Sequence, residues 1–167
     1  MVRKAEPHRD GAACAAIYAP YVSDGVASFE ADPPGPEEMA GRIARTWETH
    51  PWLVAERDGE VVGHVAITQR RTNDEPREPV PREGNLWRLF VVPDLWGSGL
   101  AADLLGRAHD ELRGRGYRGC RLFTPKAHAR ARRFYEREGW HATGHEEYSE
   151  SLELDLVEYR LELDHAS

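Results

Sequence analysis

The sequence predicts a single mixed α/β domain, a central β-sheet flanked by helices, over residues 1–167. Three observations predict it. The chain of 167 residues is 40% hydrophobic and 31% charged, which suits one soluble globular domain with a real core. Segments of strand and helix character follow in the order βααβββαβαβ(β), with no internal repeat. The most apolar strand, residues 86–92, closes at Pro93 and leads through Gly97-Ser98-Gly99 into a helix.

Each element has its local reason. Residues 2–5 read as a short first strand, and the alanine-rich residues 12–21 as a helix ended by Pro20. Residues 22–32 alternate weakly and read as extended or looped, before the break at Pro33-Pro34-Gly35. Pro36 opens a second helix with Glu37 and Glu38 in its first turn, where carboxylates complement the helix dipole. Met39, Ile43 and Trp47 give that helix one apolar face. Residues 52–57 and 60–69 flank Asp58-Gly59, a strong hairpin signal. Residues 70–84 are charged, contain three prolines and read as a long loop of the kind that often carries function. After the glycines, Leu100, Leu104, Leu105, Ala108 and Leu112 share one face of a helix reaching Arg113, which Gly114 and Gly116 end. Residues 119–124 read as a strand and 127–138 as a helix stopped by Gly139. Residues 157–163 form the last strand.

Charge and composition exclude several classes. A net charge of −7 disfavours nucleic acid, whose phosphates need a basic footprint, and suits a cationic small molecule or a peptide amine. No apolar run reaches membrane-spanning length, and the charged start lacks the apolar region of a signal peptide. No membrane partner is expected, and the expected location is the cytoplasm. Cys14 and Cys120 are too few for a disulfide framework or a zinc site, and read as free, partly buried thiols. His141 and His145 have the spacing of one helix face, but Gly139 and Gly144 argue against a helix there. They read as surface histidines, and no metal is expected.

The chemistry centres on the strand, the turn and the glycines. The first amides of a helix lack internal partners and, with the helix dipole, make an anion site. Glycines let a diphosphate approach the backbone closely. Gly97-Ser98-Gly99-Leu100-Ala101-Ala102 also fits the dinucleotide fingerprint G-x-G-x-x-A. However, residues 93–96 separate it from its strand, and no acidic residue ends the next strand, so a nicotinamide oxidoreductase is the distant alternative.

Trp96-Gly97-Ser98-Gly99-Leu100-Ala101 resembles the diphosphate motif of the Gcn5-related N-acetyltransferase superfamily, Arg/Gln-x-x-Gly-x-Gly/Ala, except at its first position. Ala131-Arg132-Arg133-Phe134-Tyr135-Glu136-Arg137-Glu138-Gly139-Trp140 is similar to that family's second block, Ala-x-x-Phe-Tyr-x-x-x-Gly-Phe. The N-terminal half, from Ile17 to Phe29 and again over residues 51–63, resembles phosphinothricin-type acetyltransferases. The resemblance implies acetyl-CoA as co-substrate. It places Phe90, Val91 and Val92 at the thioester, and Trp96, Gly97, Ser98, Gly99, Leu100, Ala101 and Ala102 at the diphosphate. It also brings His128, Ala131 and Phe134 to the cofactor, His128 standing where the family carries Asn.

The same resemblance implies an N-acetyltransferase acting on a primary amine, expected to be that of a small molecule. A protein or peptide acetyltransferase and a non-catalytic acetyl-CoA-binding module are the alternatives. Tyr135 matches the family tyrosine near the sulfur, where a phenol can protonate a leaving thiolate. Three candidates stand for the base: Glu83, at the mouth of the strand; His64, in the third strand; and bulk water. Among Lys126, His128, Arg130, Arg132, Arg133 and Arg137 of a basic helix, one is a candidate for the CoA 3′-phosphate, against a purely solvated face. A homodimer is the oligomer kept in view.

Overall fold

The computed structural model describes residues 1–24 and 32–163. In chain order they form β1 (Val2–Lys4), α1 (Pro7–Asp24), α2 (Pro36–Arg45), β2 (Leu53–Arg57), β3 (Glu60–Arg71) and β4 (Pro79–Val91). A 3-10 turn (Pro93–Leu95), α3 (Leu100–Gly114), β5 (Gly119–Pro125), α4 (Ala129–Arg137), β6 (His141–Ser149) and β7 (Leu154–Glu162) complete the chain. The strands make one mixed sheet in the order β1-β2-β3-β4-β5-β7-β6. The β4–β5 pair is parallel, which requires a crossover, and α3 supplies it.

Contacts divide the chain into two compact units. The first comprises Met1–Ile67 and Arg88–Asp110, the second Thr68–Trp87 and Glu111–Ser167. In the first unit, Cys14, Ile17, Tyr18, Met39, Ile43, Trp52, Val54 and Phe90 build an apolar core. Gly11 lets α2 approach α1, because a Cβ there would lie 2.8 Å from the Pro36 carbonyl oxygen. Arg3 forks onto both oxygens of Asp10 at 2.8 Å, and the Glu6 amide donates to the same carboxylate at 2.7 Å. Burial pushes the Asp10 carboxyl up, but these donors outweigh it and hold the group below its ordinary value. In the second unit, Cys120, Leu122, Trp140, Val157, Tyr159 and Leu161 are buried.

Four differences from the sequence expectations have physical causes. Helix α1 begins at Pro7, which is tolerated in a first turn, and runs through Pro20 to Asp24 rather than ending there. The rest of the stretch 25–31, including Phe29, lies outside the described residues. The expected loop 70–84 is mostly strand. β3 continues to Arg71 and β4 starts at Pro79, so the connection is residues 72–78. Its polar residues sit in strands because Gln69 Nε2 donates to the carbonyls of Val80 and Glu83, at 2.7 and 3.1 Å. Strand β6 has no apolar alternation, being exposed along most of its length, and its pairing with β7 alone makes it a strand. Trp47 lies beyond the end of α2 and instead takes the Lys4 ammonium over its ring at 3.7 Å.

Candidate active site

In the first unit the site is built on the end of β4. The Val92 amide donates to the Val62 carbonyl at 3.0 Å, so it faces β3 and belongs to the sheet. Successive residues of a strand aim their N–H and C=O groups at opposite edges, so those of Val91 face away from β3. Two side chains meet the Val91 carbonyl there. The Tyr21 hydroxyl donates to it at 2.8 Å and the Trp96 indole Nε1 at 3.2 Å. The same indole N–H is shared with the Tyr21 oxygen at 3.1 Å. Phe90 is buried, its ring 4.7 Å from that of Tyr21 and 5.0 Å from that of Tyr18. Of the three strand residues expected at the thioester, Val91 therefore has its amide on the edge away from β3, and the Val92 amide is already used.

The turn after β4 prepares an anion cradle. The Leu95 amide donates to the Val92 carbonyl, and the Ser98 amide and hydroxyl donate to the Leu95 carbonyl at 3.1 and 2.6 Å. Gly97 and Gly99 take φ of +81° and +90°, left-handed values at which a side chain is strained. A Cβ at either glycine would meet nothing within 4 Å, so both lie open. The helical ladder of α3 begins with the Asp103 amide on the Gly99 carbonyl at 3.0 Å. The Leu100 amide reaches the Ser98 hydroxyl at 3.4 Å, and the amides of Ala101 and Ala102 precede the ladder without helical partners. Leu100, Leu104, Leu105, Ala108 and Leu112 are buried, which fixes the helix behind its open end. Residues 93–102 contain no Lys or Arg, so what this segment itself offers an anion is its peptide dipoles. Its chemistry fits a diphosphate.

The second unit carries the other block. His128 caps α4, its Nδ1 accepting from the Ala131 amide at 3.3 Å. The cap explains why a histidine can occupy this position, and leaves Nε2 as the nitrogen that could meet a ligand. Tyr135 is half-buried against Phe134, Trp140 and Tyr159, with ring centroids 5.3, 5.9 and 6.5 Å away. Its hydroxyl makes no hydrogen bond among the described residues, and burial pushes the phenol well above its ordinary value. It therefore holds its proton at neutral pH, as a proton donor must. Arg132 is committed to the fold, donating to the Tyr159 hydroxyl at 3.0 Å and to the Lys126 carbonyl at 2.9 Å. Arg133 and Arg137 are exposed.

Both side-chain candidates for the base have other duties. Glu83 lies in the first half of β4, paired with Gly119, and its Oε1 accepts from Arg160 Nη2 at 2.6 Å. It is an ion-pair partner within the second unit rather than a free carboxylate on a mobile loop. His64 is wholly buried, stacked on Trp52 and edge-on to Phe90, and among the described residues neither ring nitrogen has a hydrogen-bond partner. Burial first, then the charge of Arg88, push its pKa down to about 3. Sequence patterns did not reveal Tyr21 as part of the site, since only the fold brings its hydroxyl to Val91.

These features can be set beside known proteins. The model of the acetyltransferase (GNAT) family matches residues 18–140. The chain is 37% identical over 94 residues to the phosphinothricin N-acetyltransferase of Alcaligenes faecalis, a match covering 56% of this chain and 45% of that protein. The chain spans about half, or less, of the length of the curated relatives it matches. Among solved structures, the ribosomal-protein-alanine N-acetyltransferase from Brucella melitensis superposes with a TM-score of 0.84 at 22% identity, covering 98% of this chain and 99% of that one. YncA from Salmonella typhimurium, solved with its cofactor acetyl-CoA, gives 0.81 at 25% identity, covering 100% and 95%. A strand that ends in a glycine turn opening a helix, a tyrosine-bearing block downstream and the family match agree: the chain belongs to the acetyltransferase (GNAT) family.

Proposed function

We propose that this chain is an acetyl-CoA-dependent N-acetyltransferase whose acceptor is the primary amine of a small molecule. The observation that carries this is the end of β4: an amide of Val91 facing away from β3, followed by a glycine turn with unclaimed helix-opening amides. When bound, acetyl-CoA supplies an activated acyl group. The amides of Gly99, Ala101 and Ala102 hold its diphosphate, and His128 Nε2 meets the pantetheine arm. The Val91 N–H donates to the thioester carbonyl, where negative charge develops as the amine attacks. As the carbon–sulfur bond breaks, the Tyr135 hydroxyl gives its proton to the departing thiolate. Since His64 is neutral and enclosed and Glu83 is ion-paired, the amine loses its proton to water. The likeness to a phosphinothricin N-acetyltransferase supports a small acceptor over a protein one.

Thiol release from acetyl-CoA across a library of amines tests this. Turnover is expected with small primary amines, at a rate that rises with pH through the acceptor's own pKa. Tyr135→Phe should lower kcat by about 100-fold, the lower range for a lost general acid, with a small change in KM. Acetylation of peptides and of no small amine would overturn the acceptor class. Binding without thiol release for any acceptor would make the chain a sensor.

A further inference from the structure

The position that carries Arg or Gln in the family motif is Trp96 here. A tryptophan has one hydrogen-bond donor. That donor does not point toward the glycine cradle: it turns back on β4, shared between the Tyr21 oxygen and the Val91 carbonyl. Tyr21 donates to the same carbonyl, so its two acceptor sites are both filled by side chains. Among the described residues, the ladder between β4 and β5 covers residues 83–85 against 119–121. Val91 lies beyond it, where a strand-edge carbonyl needs another partner. The Val91 N–H lies on the same edge as this carbonyl.

We propose that Trp96 and Tyr21 are positioning residues for acetyl transfer: by closing a hydrogen-bonded triangle on the Val91 carbonyl, they hold Val91 so that its N–H polarises the thioester carbonyl. This rests on the acetyltransferase function proposed above. The tilted packing of Tyr21 on Phe90 at 4.7 Å and of Trp96 on Tyr21 at 6.4 Å keeps the triangle rigid. An amide donor is effective in this role only when its direction is set before the reaction, because it then pays no reorganisation as charge develops. Trp96 is 47% exposed, so its ring contributes little to the core, and replacing it tests the triangle rather than the fold.

The test combines Trp96→Phe and Tyr21→Phe, each removing hydrogen-bonding capacity and keeping a ring. Acetyl-CoA labelled with carbon-13 at the thioester carbonyl is bound to each protein, and the carbonyl stretch is read by infrared difference spectroscopy. In the wild type it should move to lower frequency than in solution, and in both variants much of that displacement should be lost. Titration calorimetry should show acetyl-CoA affinity within about threefold of wild type, while kcat falls about tenfold, part of the loss typical for one such donor. The double variant should lose little more than the worse single one, because the groups act as one unit. If Trp96→Phe does not fold, Tyr21→Phe carries the same expectations. An unchanged stretch and kcat in a folded variant overturns the triangle alone. No binding of acetyl-CoA by the wild type overturns the proposed function, and the triangle with it.

Discussion

Trp52 stacks on His64 with ring centroids 5.5 Å apart, and Phe90 meets the same imidazole edge-on at 5.7 Å. A lone histidine in a strand is more often structural, and the sequence offers His64 only as one of three candidates for the base. Enclosed here, it is a neutral core residue, its pKa pushed down to about 3 by burial and by Arg88. Its ordinary value is about 6.5, so below that pH the unfolded chain takes up a proton that the fold refuses. The stability tied to His64 is therefore complete above pH about 6.5 and is lost as the pH falls from there toward about 3. His64→Leu should flatten the decline of Tm between pH 6.5 and 4.5, and unpaired nitrogens make the replacement inexpensive at neutral pH. Equal Tm slopes for the two proteins across this window would show that another group sets the acid sensitivity. The lesson for the site is that residue type nominated His64 and Glu83, while folding encloses the first and pairs the second with Arg160. Neither property is written in the residues' own neighbours along the chain.

At the scale of the element, the glycine turn was readable in advance. The residues from Pro93 to Ala102 have the composition of a glycine turn that opens a helix, and the backbone adopts that turn. Gly99 has φ of +90° and open space where a Cβ would stand, so any substitution meets conformational strain rather than a clash. Such strain costs on the order of 1–3 kcal/mol. Gly99→Val should therefore lower Tm by several degrees, leave the domain folded, and abolish the stabilisation that acetyl-CoA gives the wild type. Retained stabilisation in calorimetric melts would detach the cradle from the cofactor. The elements that could not be read were those whose cause lies elsewhere. β6 is polar and is a strand through its pairing with β7, and the ends of β3 and β4 are strands through Gln69's bonds to the backbone opposite. Periodicity detects burial, and an exposed strand buries little.

At the scale of the whole molecule, a ligand that binds only the folded state must stabilise it. Saturation at 100 times its Kd is worth about 2.7 kcal/mol. Acetyl-CoA should accordingly raise Tm clearly, with NAD(P) giving no shift. The reverse result would return the glycines to a dinucleotide function. By itself, the sequence determined the fold class, the order of the main elements, the apolar face of α3 and the two motif blocks, because these depend on local pattern and on residues close together in the chain. Only the tertiary structure decided which groups are available for chemistry. It spent the Val92 amide on Val62, enclosed His64, paired Glu83 with Arg160, turned the Trp96 indole back to Val91 and brought Tyr21 there from α1. The physical reason is that a hydrogen-bond partner and a dielectric environment are supplied by residues distant in sequence. A residue's chemical type is fixed by its codon, whereas its free lone pairs, its pKa and the direction of its donors are set by what folding places beside it.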